Sequence, residues 1–272
     1  MAATPSILVA SDLAPRSDRV VDRALRVAEA MGCGIRLVHI VGDAALPYEG
    51  VLDRLRAMAR LDLGEQADRV ELRFEPGSVP ATLARLAEQG DAPLVVTGTA
   101  RFNSPVDFIL GTAVDYLVRR SPVPVLVVRR RPSRAYRRLL VMTDFSNCAH
   151  TALEAANDFF PDAEIELLHV CGPAFETRLD PQATARHARA EAEQEMADFL
   201  AEVEQSLRGR ITARIEEGLI EKVVDDRFLA DRFDLLVLGT HGRGPVAHAT
   251  IGSRASTLLA AALSDVLMVR GP

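Results

Sequence analysis

Short apolar runs and amphipathic stretches alternate along this chain, and the alternation runs through twice. Ser6-Ile7-Leu8-Val9-Ala10 is continuous and apolar and stops at Ser11-Asp12. A run of that length suits a strand buried on both faces, as in a parallel sheet. Val20, Ala24, Val27, Ala28 and Met31 then recur at helical spacing, and Gly32 and Gly34 predict the end of that helix. A second strand is expected over Ile35–Ile40, a helix around Val51–Gln66 and a third strand over Arg69–Phe74. A helix over Pro80–Gln89 follows, with Ser78 as its cap. Pro93–Gly98 is the fourth strand, Gly111-Thr112 opens a helix to about Arg120, and Val123–Val128 is the fifth strand.

Arg129-Arg130-Arg131-Pro132-Ser133-Arg134 interrupts the pattern and reads as a solvated linker rather than a site for an acidic partner. Beyond it the order repeats. Leu139–Met142 ends at Thr143-Asp144, and Ser146 caps a helix through Phe160. Ile165–Val170 matches Ile35–Ile40, histidine included. A long helix carries a stripe of Ala188, Ala192, Met196, Phe199, Val203 and Leu207. Ile211–Glu216, Leu235–Gly239 and Val266–Arg270 complete the second set of strands, with an Ala/Leu-rich helix over Ala255–Leu263. Gly77 and Gly218, Gly98 and Gly239, and Gly111 and Gly252 each lie 141 residues apart, whereas His39 and His169 lie 130 apart. The second copy therefore carries 11 extra residues between its second and third strands, most simply as a longer helix.

The expected fold class is α/β: two tandem doubly wound domains, over residues 1–131 and 137–272. Each is a five-stranded parallel sheet, order 3-2-1-4-5, with helices on both faces. In such a sheet ligands bind at the carboxyl ends of the strands, where the chain leaves strand 1 one way and strand 4 the other. Asp144 ends strand 1 and Gly239 ends strand 4, so the acid and the glycine loop face one crevice. That loop runs Gly239-Thr240-His241-Gly242-Arg243-Gly244 and reaches Ile251-Gly252-Ser253-Arg254 at a helix start. Glycine permits positive φ and close backbone approach, and a helix N-terminus favours an anion such as phosphate.

Composition narrows the partners. With 48% hydrophobic and 26% charged residues the 272-residue chain can bury two cores. A net charge of −6 argues against a general nucleic-acid binder. No apolar run approaches the roughly 20 residues of a membrane span, and Met1–Pro5 lacks the pattern of a signal peptide. Cys33, Cys148 and Cys171 are too scattered for a disulfide framework or a zinc site, so a cytoplasmic setting is expected.

These motifs resemble the universal stress protein family, whose adenine-nucleotide signature is Gly, two residues, Gly, nine residues, then Gly-Ser or Gly-Thr. Gly239, Gly242 and Gly252-Ser253 match it in full. Thr143-Asp144-Phe145-Ser146 and Leu168-His169-Val170 match as well, and the double copy is similar to the family's tandem members. The resemblance implies ATP or another adenine nucleotide, with Mg²⁺ as its counter-ion, in the second domain, and a regulatory stress-response role rather than an enzymatic one. Asp144 would hold the ribose hydroxyls, a carboxylate accepting two hydrogen bonds from a diol, and Thr143 before it is counted among the nucleotide-binding residues. The Val170 backbone would hold the adenine edge. Gly239 and Gly242 would let the loop wrap the phosphates, with Gly252, Ser253, Arg254 and Arg243 as phosphate contacts. It also implies an intramolecular pseudo-dimer through the fifth strands, Val125–Val128 and Val266–Val269, with further homo-oligomerisation left open.

The first copy departs from the signature. Arg101 stands where the second glycine belongs, and Pro105 and Asp107 enter the loop. A weaker or absent first site is expected, although Asp12 is retained. His39 and His169 read as structural. His241 and His248 lack the further ligands of a metal site, and Cys148 reads as a small packing residue. Two other classes stay open: an interaction scaffold without nucleotide, and a slow ATPase, although the loop lacks a Walker Gly-Lys-Ser/Thr ending.

Overall fold

The computed structural model describes residues 5–41, 50–90, 92–99, 112–172, 181–242 and 251–271. The chain divides into two compact units, Met1–Ala135 and Tyr136–Pro272.

In the first unit, β1 (Ser6–Ala10), α1 (Asp18–Met31), β2 (Gly34–Val41), α2 (Val51–Leu63), β3 (Val70–Pro76) and α3 (Val79–Gln89) follow in order. The unit ends with β4 (Val95–Gly98), α4 (Thr112–Arg120) and β5 (Val125–Val128). All strand pairs are parallel, and their neighbours run β3-β2-β1-β4-β5. Ile7, Leu8 and Val9 are buried without alternation, which requires cover on both faces of the central strand. Gly32 ends α1 in the left-handed conformation at φ 64°, and the Cys33 N–H returns to the Ala28 carbonyl. This is the glycine stop expected past a helix end; Gly34, by contrast, opens β2. Ser78 takes the N-cap position of α3 but makes no side-chain capping hydrogen bond. The arginine-rich linker has no regular element, and its carbonyls are held by α1: Arg19 donates to Arg129 O and Arg23 to Arg134 O.

The second unit repeats the plan: β6 (Arg138–Met142), α5 (Asn147–Phe159), β7 (Glu164–Cys171), α6 (Pro181–Glu202), α7 (Gln205–Arg208), β8 (Ile211–Glu217), α8 (Ile220–Asp231), β9 (Leu235–Gly239), α9 (Ser253–Ala261) and β10 (Asp265–Val269). Its parallel strands lie in the order β8-β7-β6-β9-β10. The extra length falls in α6, with 22 residues against 13 in α2. The expected stripe is broken, however. α6 ends at Glu202, Leu207 sits in the separate turn α7, and Ala188 is exposed, while Ala192, Met196, Phe199, Val203 and Leu207 are buried.

The repeat extends to backbone geometry. Gly77 and Gly218 both have positive φ, 113° and 146°, in the turns that follow β3 and β8. A side chain at either would be strained and would crowd the residue five positions on, Thr82 or Val223. The second unit is further tied by Tyr136, whose buried hydroxyl donates to Asp265 Oδ2 at 2.6 Å. Glu166, buried in the sheet, accepts from Arg227 of α8 and Arg214 of β8. Burial alone would lower the Arg227 pKa, but Glu166, Asp231 and Glu216 outweigh it and raise it further.

Candidate functional site

The strand order brings the carboxyl ends of β6, β7 and β9 together, and there the second unit holds a cavity of about 470 Å³. That lies within the roughly 300–1,000 Å³ of small-molecule sites. Thr143, Asp144, Val170, Gly239, Gly242, Gly252, Ser253 and Arg254 all line it. Arg243 lies outside the described residues, as do Arg101, Pro105, Asp107 and His248.

The turn after β6 is built by its own polar side chains. Thr143 is buried, its Oγ1 accepts from the Phe145 N–H at 2.9 Å, and Phe145 adopts φ 62°. Asp144 Oδ1 accepts from both the N–H and the Oγ of Ser146, at 3.1 and 2.5 Å. Ser146 Oγ in turn caps α5 by accepting from the Ala149 N–H at 3.2 Å. The carboxylate is thereby oriented, with Oδ2 toward the glycine loop.

His169 braces this turn. Its Nδ1–H donates to the Thr143 carbonyl at 2.9 Å, and its ring stacks on Phe145 with centroids 4.4 Å apart. The first unit contains the same device: Ser11 Oγ accepts from the Leu13 N–H, Leu13 has φ 53°, and His39 Nδ1–H donates to the Ser11 carbonyl at 3.0 Å. Asp12 there accepts from the Ala14 N–H and Ser17 Oγ. The two histidines thus hold strand-end turns. Among the described residues no group of three or more His, Cys, Asp or Glu side chains could hold a metal ion.

The glycines act through proximity rather than positive φ, which Gly239, Gly242 and Gly252 do not adopt. A Cβ on Gly239 would stand 2.9 Å from Cys148 Sγ and 3.2 Å from its carbonyl oxygen; one on Gly242 would stand 2.5 Å from Asp144 Oδ2. Cys148 is a buried packing residue whose thiol donates to the Val269 carbonyl. The loop's two ends are joined by the Gly252 N–H, which donates to Thr240 O at 2.8 Å, and the Thr240 N–H is tied to the end of β10 by donating to Val269 O at 2.8 Å. Gly252 is the N-cap of α9. The first-turn N–H groups at Ser253 and Arg254 have no intrahelical acceptor and present positive potential to the cavity.

Other lining residues were not legible as site residues. His169 lies on β7 and braces the turn after β6, while Thr240 and His241 belong to the turn after β9, and Thr240 Oγ1 and His241 Nδ1 are hydrogen-bonded at 2.8 Å. Ile220, the first residue of α8, and Glu195 of α6 come from elements whose place depends on strand order. Cys171 follows Val170; burial and then Glu217 push its thiol pKa up against the pull of Arg189, leaving it neutral.

A sequence profile of the universal stress protein family matches residues 4–129 and again 135–270. Universal stress protein A homolog 1 of Coxiella burnetii is 29% identical over 136 residues, which cover 45% of this chain and 94% of that protein. Two crystal structures share the fold. A functionally unknown protein from Pseudomonas aeruginosa PAO1 is 19% identical, with a TM-score of 0.70 over 99% of this chain and 93% of that one. A universal stress protein from Archaeoglobus fulgidus is 20% identical, with a TM-score of 0.67 over 99% of this chain and 97% of that one. Among the described residues no helix is long and apolar enough to cross a membrane. With the profile matched once on each five-stranded unit, the chain belongs to the universal stress protein family as a tandem, two-domain member.

Proposed function

We propose that the second unit binds ATP or another adenine nucleotide and that binding regulates a stress response. One observation supports this most: a single cavity is lined by an oriented carboxylate, Asp144, by the Val170 strand end, and by a close-packed glycine loop leading to the N-terminus of α9. The carboxylate suits a ribose diol as a two-fold acceptor. The helix start suits phosphate, and Arg254 beside it supplies a charge-assisted contact. Arg243 belongs to the same proposal as a second cation on the loop. Mg²⁺, where present, would travel with the phosphates.

The first unit is assigned no nucleotide. Arg101 occupies the place of Gly242, and in the second unit any Cβ at that place collides with the strand-end aspartate. Regulation follows from linkage: a ligand that binds only the folded state stabilises it and the loop conformation it contacts.

Calorimetric titration of the full chain with ATP tests the reading. Binding with one site per chain is expected, together with a rise in melting temperature. No heat and no thermal shift at millimolar ATP would remove the nucleotide and leave an interaction scaffold. Steady phosphate release that depends on Gly242 would instead point to a slow ATPase.

A further inference from the structure

We infer that Glu195 sets the base preference of this cavity by accepting a hydrogen bond from the exocyclic amine of adenine; the inference rests on the nucleotide reading above. Among the described residues two carboxylates line the cavity, and they sit on different elements. Asp144 is held at the end of β6 by Ser146, whereas Glu195 projects from α6. Ala192 and Met196 are buried on either side of Glu195 along the helix. Phe199, one turn further on, meets the Phe145 ring at 6.1 Å. These contacts fix the helix against the strand-end turn and hold the half-buried Glu195 in the cavity wall.

The cavity wall carries charge of both signs. The α9 start and Arg254 form the anion-favouring part. Val170 and Ile220 line the cavity with apolar surface suited to a flat ring, and Glu195 of α6 lines it as well. A carboxylate repels phosphate, so Glu195 favours the orientation that turns the base toward α6 and the phosphates toward α9. An ionised carboxylate only accepts hydrogen bonds. Adenine offers it an amine donor. Guanine and hypoxanthine offer a carbonyl oxygen at the same ring position, which would leave two acceptors facing one another in a partly buried site.

The test is calorimetric titration of the wild type, Glu195→Gln and Glu195→Ala with ATP and with inosine triphosphate, which replaces the amine by a carbonyl. The wild type is expected to prefer ATP by about tenfold or more, the worth of one hydrogen bond to a charged group. Glutamine both donates and accepts, so Glu195→Gln brings the two affinities close to equal by admitting the carbonyl. Glu195→Ala weakens ATP and leaves inosine triphosphate unchanged or tighter. Equal melting temperatures of the ligand-free proteins show that the fold is intact. An ATP preference that persists unaltered in both variants overturns the inference and leaves nucleotide binding standing. A wild type that binds neither nucleotide overturns both.

Discussion

Replacing Gly242 by alanine isolates the steric role of the loop glycine. Gly242 does not occupy the positive-φ region, so alanine is allowed by the backbone and the change acts through its Cβ alone. That Cβ would stand 2.5 Å from Asp144 Oδ2, whereas ordinary contact begins at 3.4 Å, so the carboxylate must retreat by about 0.9 Å. Asp144 Oδ1 is bound to Ser146 at 3.1 and 2.5 Å, and a shift of that size carries these bonds out of good geometry. It moves the proposed ribose acceptor by the same amount. Losing one charge-assisted hydrogen bond to the ligand costs about 1.5–3 kcal/mol, or roughly a 10- to 150-fold weaker Kd. The assay is calorimetric titration with ATP of Gly242→Ala, Asp144→Ala and the double variant. If the alanine acts through Asp144, it costs little more once the carboxylate is gone, and the double variant binds as Asp144→Ala does. The reasoning is refuted if Gly242→Ala binds as the wild type, or if it costs the same with and without Asp144.

Three further substitutions probe the surrounding structure. Ser146→Ala removes the cap on the Ala149 N–H and should cost about 1 kcal/mol in denaturant unfolding; ATP affinity should fall as well, because Asp144 loses its hydroxyl donor, and unchanged stability would contradict the capping role. Arg227→Met leaves Glu166 buried with only the more exposed Arg214, an expected loss of about 2 kcal/mol; pairing it with Glu166→Leu should recover most of that, and a double variant no more stable than the single would count against the pair. The Asp18 carboxyl is raised by burial and then by Asp22 and Asp62, so its charge opposes folding above its folded pKa and not below its unfolded one. Asp18→Asn should therefore raise the melting temperature slightly at pH 7, by less than about 0.5 kcal/mol in stability, with the gain vanishing at acid pH; an equal gain at both pH values would exclude the repulsion.

The amino-acid sequence by itself determined the strands, the duplication and the turns that end β6 and β9. Buried parallel strands must be apolar on both faces, so Ile7–Val9, Leu139–Met142 and Leu235–Leu238 stand out without reference to their neighbours. Turn chemistry is equally local: Thr143, Asp144 and Ser146 bond within a few residues of one another. Helix α8 was not legible, because Val223 and Val224 are buried while Leu229 is 73% exposed, so its apolar positions form no single stripe. The break between α6 and α7 was hidden for the opposite reason, since Val203 and Leu207 continue the apolar spacing across it.

Only the tertiary structure decided what the loop glycines are for and what else surrounds the cavity. Positive φ is a local property and was the natural expectation for a glycine loop, but the pressure on Gly239 and Gly242 comes from Cys148 and Asp144, far away in sequence. Glu195 and Ile220 reach the cavity because β7 pairs with β6 and β8 with β7, which carries α6 and the start of α8 to the same sheet end. Spacing along a chain encodes contacts made within one turn or one strand. Contacts made across the sheet depend on the order in which the strands pair.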